Sequence, residues 1–182
     1  DGEPNLAVGF MLNEVDYDQA SYDDAEFIEL YNGSGETITL NGLALQMLNG
    51  AITNVYATYD LGLLAQGAGV STDVPAGGYV VVGPANVIAL APANVTRLPL
   101  DVTRDGFIQN GGSDGIILID IVSGTILDAL AYEGGIVGVT ETSSGGLVDS
   151  GNVTDESLSR CPNGVDTDHN EQDWHLVAPP TP

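Results

Sequence analysis

A chain of 182 residues with 43 % hydrophobic content can bury the core of one domain, read here as residues 1–182. Its formal charge of −23, from 26 acidic residues against Arg97, Arg104 and Arg160 with no lysine, repels phosphate, so direct nucleic-acid binding is not expected. The single cysteine, Cys161, excludes an internal disulfide and a cysteine-rich zinc site, and no apolar run approaches the roughly 20 residues of a membrane span.

Short apolar stretches, 24 glycines and nine prolines, with no long run of helical period, predict an all-β domain with little helix. In chain order the expected strands are Leu6–Tyr17, Phe27–Asn32, Thr37–Leu40, Leu43–Leu48, Val55–Asp60, Tyr79–Val82, Gly115–Ile121, Ile126–Tyr132 and Trp174–Val177. Asn41-Gly42, Asn49-Gly50, Pro75-Ala76-Gly77-Gly78 and Asn110-Gly111-Gly112 punctuate them, and Ser123-Gly124, between two apolar runs, is the best hairpin turn. Leu61–Val74 and Ala85–Leu100 read as long loops carrying at most one helical turn, and Gly134–Asn152 as an extended loop. The closing Ala178-Pro179-Pro180-Thr181-Pro182 cannot continue a ladder, so the last strand ends near Val177.

Between the first two strands the connection is crowded with carboxylates. In an extended strand Glu14, Asp16 and Asp18 project to one side, where facing Asp24 and Glu26 could join them around a hard cation. Calcium suits carboxylate and carbonyl oxygens better than zinc does. A second group, Asp166, Asp168, Asn170 and Asp173, has the alternating oxygen side chains that open a calcium loop. Glu171 stands where an EF-hand needs glycine, and Val177 where it needs its last glutamate, so an EF-hand is excluded. The competing readings are a solvated acidic link and a capped acidic turn.

Catalytic signatures are missing. No Gly-x-Ser-x-Gly elbow or phosphate-cradling Gly-Lys-Ser/Thr loop occurs, and His169 and His175 lack a third zinc ligand at a useful spacing. Cys161 has only Arg160 beside it as a basic neighbour. An enzyme is not expected.

Several segments resemble the bacterial lamin tail domain. They are Asn13-Glu14-Val15, then Glu26 through Asn32, Leu40-Asn41-Gly42-Leu43, and Pro75 through Val82. Ile108 through Ile116 with Tyr132-Glu133-Gly134 is similar to the version found beside secreted bacterial nucleases. Ser157 through Arg160 and Asp166 through Trp174 resemble the closing segment. The resemblance implies an immunoglobulin-like β-sandwich with long loop insertions. The expected function is a non-enzymatic, extracellular, calcium-binding module of a cell surface, matrix or filament, self-assembling through strand edges such as Leu6–Val15. The alternative is an accessory domain that engages substrate for a secreted nuclease or other hydrolase. The chain is read as a mature form after signal peptide removal.

Overall fold

Phe10–Asp16 (β1) opens on apolar residues and ends on Glu14-Val15-Asp16, and this strand is an inner one of the larger of two packed sheets. The computed structural model describes residues 7, 9–20, 22–51, 54–102, 106–139, 141, 147–149 and 155–182. After β1 come Phe27–Asn32 (β2), Ile38–Thr39 (β3), Leu43–Asn49 (β4) and Asn54–Asp60 (β5), then helix Leu61–Ala68 (α1). Asp73–Val74 (β6), Tyr79–Gly83 (β7), helix Ala85–Leu90 (α2) and Thr96–Pro99 (β8) follow. The chain closes with Asp114–Asp120 (β9), Thr125–Tyr132 (β10), Ser157–Arg160 (β11), the short helix Asn170–Asp173 (α3) and Trp174–Val177 (β12).

Six strands pair in the order β12-β11-β1-β2-β7-β8 and four in the order β10-β9-β4-β5; β3 and β6 form a separate ribbon. All pairings are antiparallel except β7 with β8. The main core lies between the sheets. Leu12, Ile28, Leu30, Val80, Val82 and Leu158 come to it from one side, and Leu43, Leu45, Met47, Ile116, Leu118 and Leu130 from the other. This is the all-β fold that the strand pattern predicts and the immunoglobulin-like sandwich that the resemblance implies.

The outer faces are covered too. Phe27 and Val81 point away from the main core and are sealed by Val87 and Ala91 at α2. On the opposite sheet Ile117, Ala129 and Ala131 are sealed by Ile136 and Val139, so part of the expected Gly134–Asn152 loop is packed chain; Asn152 itself lies outside the described residues.

Four expectations need correction. Leu61–Val74 holds a full helix: the Asp60 carboxylate accepts from the Leu63 amide at 2.9 Å, and Gly69, at φ +69°, ends the helix in the left-handed region. Leu61 and Ala65 bury there, but a two-turn helix whose one polar side chain is Gln66 has too few polar positions to display a period. Ala85–Leu100 holds α2 and β8, and Ser157–Arg160, too polar to read as apolar, is a strand next to β1. β1 itself is an inner strand, paired with β2 and β11; of the Leu6–Val15 edge, Leu6 and Val8 lie outside the described residues, as does Arg104.

Two β-bulges position the polar centre. One inserts Asn13 between Leu12 and Glu14 on β1, and the other inserts Leu127 between Ile126 and Asp128 on β10. A bulge breaks the ladder and re-aims a side chain. Here the freed Leu12 backbone meets side chains, its N–H donating to Asp128 Oδ2 at 2.7 Å and its C=O accepting from Arg160 Nε at 2.8 Å.

Candidate functional site

Arg160, on β11, is buried and uses every nitrogen of its guanidinium. Nη2 donates to Asp128 at 2.9 and 3.1 Å, and Nη1 reaches Asp166 at 3.2 Å, Asp173 at 3.3 Å and the Val165 carbonyl at 3.2 Å. Its plane lies over the Trp174 ring, 4.8 Å from the centroid. One cation therefore faces three carboxylates, and Glu141 adds a fourth: oxygens of Asp128, Glu141 and Asp166 all lie within 4.8 Å of one another. Among the described residues Glu141 Oε2 is buried without a hydrogen bond. Burial, followed by the charges of Asp128 and Asp166, pushes the Glu141 carboxyl up to about 8. Asp128 is pushed up to about 6 by burial, against the attraction of Arg160.

The second sequence-predicted group meets this centre only in part. Asp173 organises the turn: its carboxylate accepts from Thr167 N and Oγ1, both at 2.8 Å, and from His169 N at 3.4 Å. Those bonds outweigh its burial and hold its carboxyl below the usual range. Asp166 accepts from the Asp168 amide at 3.1 Å, and Asp168, exposed, adopts a positive φ of 55°. Among the described residues the buried Asn170 side-chain amide has no hydrogen-bond partner. As a whole the segment forms a capped turn fastened to Arg160, of which Asp166 alone belongs to the close carboxylate triad.

The first group is dispersed. Glu14 and Asp16 do share a face of β1, but Glu14 accepts from Ser157 Oγ (2.7 Å), Thr181 N (2.8 Å) and Thr181 Oγ1 (2.7 Å), which pins the C-terminal segment over the sheet. Asp16, also buried, accepts from the Gln19 side chain. Burial, with the charges of Asp149, Asp155 and Glu14, pushes it up to about 8. Asp18 and Asp23 share the Asn110 amide at 3.2 Å each. Asp24 is exposed. Glu26 turns inward, where Oε2 accepts from the Phe107 and Ile108 amides, and burial pushes it up to about 8. The five do not converge on one point.

Sequence reasoning missed Asp128, Glu141, Arg160 and Asp149. Asp149 is fully buried, and burial raises it to about 7 against backbone hydrogen bonds from Tyr17 and Asp18. The available signal was an acid inside the apolar run Ile126-Leu127-Asp128-Ala129-Leu130, because a charge at such a place is almost always paired, and only three basic residues exist to pair it. Elsewhere, Ser159 and His175 are cross-strand neighbours with no hydrogen bond between their side chains, and Cys161 is exposed. No described helix is long and apolar enough to cross a membrane.

Residues 7–134 match the Lamin Tail Domain family. The strands β11 and β12, which complete the larger sheet, lie beyond the matched segment. Among curated proteins no relative matches the chain.

Proposed function

The chain belongs to the lamin tail domain family, and on that premise we propose that it is a non-enzymatic, calcium-binding structural module of a cell surface or extracellular matrix. The observation that carries the reading is the Asp128–Glu141–Asp166 triad, whose oxygens crowd within 4.8 Å while a single guanidinium serves the whole centre. A divalent cation beside Glu141 reverses the sign of that local repulsion. Calcium suits it best, because it accepts irregular all-oxygen coordination, whereas magnesium demands octahedral geometry and sheds water reluctantly. A site with one exposed carboxylate, Asp166, and one half-buried, Glu141, fits the weak class at about 10⁻⁴–10⁻³ M, which fills only where calcium is abundant, outside cells. Assembly through strand edges completes the reading: β5 ends the four-stranded sheet without proline or lysine to blunt it.

The test is a melting curve in chelator, in sodium at matched ionic strength, in magnesium and in calcium. Calcium stabilises the folded state by about 2.7 kcal/mol at one hundred times its dissociation constant, and magnesium less. Glu141→Gln removes most of that gain. A sodium shift equal to the calcium shift reduces the effect to screening, and a full calcium shift in Glu141→Gln places binding elsewhere.

A further inference from the structure

On the outer face of the six-stranded sheet lies a crevice of about 220 Å³. Glu14 on β1 and Glu29 on β2 stand directly opposite each other on its floor, beside Tyr79 of β7. Like charges so placed repel unless each finds a donor. Glu14 has its three, from Ser157 and Thr181. Glu29 has one: Asn13 Nδ2 donates to Oε1 at 2.7 Å, and among the described residues no hydrogen bond or ion pair reaches Oε2. Glu29 is only 8 % exposed, and it lines the crevice.

The walls narrow the chemistry of the missing partner. Pro92, Val95 and Pro182 are apolar, and Asn94 and Asn163 stand at the polar rim, where Asn163 Nδ2 donates to the Tyr79 hydroxyl at 3.2 Å. Calcium needs six to eight oxygens, which one free carboxylate oxygen between apolar walls does not supply. An alkylammonium group can rest on one charged acceptor with water on its other hydrogens, given an aromatic ring beside its charge and an apolar channel for its stem. The crevice offers Glu29 Oε2, the Tyr79 ring and the walls of Pro92, Val95 and Pro182. This chain contains no lysine, so such a group must come from another molecule, and a net charge of −23 favours the approach of a basic one.

We propose that the crevice receives a lysine side chain of a basic partner protein, its ammonium on Glu29 Oε2 beside Tyr79 and its stem between Pro92, Val95 and Pro182. This rests on different residues from the calcium reading, and each stands or falls without the other.

The experiment is an NMR titration of the full chain, in chelator at moderate salt, with Nα-acetyl-lysine methylamide. The isosteric norleucine compound, which lacks the ammonium, and butylamine are titrated in parallel. The lysine compound shifts the side-chain amides of Asn94 and Asn163 and the Tyr79 ring, and the norleucine compound does not. Glu29→Gln keeps an acceptor for Asn13 and weakens binding about tenfold or more, while Asp24→Asn, an exposed carboxylate outside the crevice, leaves it unchanged. Asn94→Trp, at the exposed rim, blocks the mouth and supplies a second loss should Glu29→Gln unfold. Equal binding by Glu29→Gln or Asn94→Trp, equal binding of norleucine, or shifts spread over the acidic surface overturns the proposal. Tighter binding of butylamine than of the lysine compound overturns it in favour of a small free amine.

Discussion

Arg160 and Asp128 meet with both side chains wholly withdrawn from water, Nη2 lying 2.9 Å from Oδ1 and 3.1 Å from Oδ2. The pair joins β11 of one sheet to β10 of the other, and both partners also hold the backbone of Leu12 at the β1 bulge. Arg160→Met therefore leaves buried Asp128 and Asp173 without their cation and costs about 3–5 kcal/mol in urea unfolding. Adding Asp128→Leu recovers part of the loss. The double variant stays about 1–3 kcal/mol below wild type because the Leu12 N–H and C=O lose their partners. Full recovery would show those backbone bonds to be dispensable.

Stability falls as pH rises through neutrality. Burial lifts Asp16, Glu26 and Glu141 to about 8 and Glu29 to about 7, all above their ordinary values near 4. Between pH 4 and 8 the folded state thus binds more protons than the unfolded chain. The stabilisation from these groups is present in acid and is lost as pH climbs toward 8. From pH 5 to 8 in chelator the loss is at least about 3 kcal/mol, or roughly 6–12 °C in Tm. Asp16→Asn flattens the slope, since its amide oxygen still accepts from Gln19. A Tm that climbs from pH 5 to 8 would contradict the prediction.

Leu30→Ala costs about 2–5 kcal/mol, because Leu30 is fully buried between the sheets. Its strand neighbour Tyr31 faces outward and is only partly buried, and Tyr31→Leu costs under about 1 kcal/mol. Chemical denaturation of both variants checks the register of β2, and equal losses would mean that it is shifted.

Two glycines next to strands differ in what an added methyl meets. At Gly50 a Cβ would lie 2.0 Å from the Ser113 carbonyl oxygen, which also accepts the Gly50 N–H, so Gly50→Ala must displace backbone. Gly124, at φ +74° in the β9–β10 turn, has open space around it. Gly124→Ala carries only the left-handed penalty of about 1–2 kcal/mol, and Gly50→Ala loses more, about 3 kcal/mol or above. Thermal melts of the two variants decide the order.

Short runs of strand-favouring residues bounded by turn signals made many of the strands legible. Phe27–Asn32 and Trp174–Val177 occur with the bounds their residues imply, and Ile28 with Leu30 faces the main core as their spacing requires. What those runs could not convey is which polar residues end up buried. Ser157–Arg160 is not among the expected strands, yet pairing with β1 and β12 makes it an inner strand and carries Arg160 into the core.

The acidic residues divide on the same line. From the sequence alone come their excess, the shared face of Glu14 and Asp16, and the near absence of cations to oppose them. Their destinations were decided by contacts between residues far apart in the chain. Thr181 takes Glu14, the Phe107 and Ile108 amides take Glu26, and Asp128 reaches Arg160 only because two bulges shift β1 and β10. A local pattern reports which face of a strand a side chain occupies. The partner on that face is set by sheet order and by bulges, and those depend on how the whole chain buries its apolar surface.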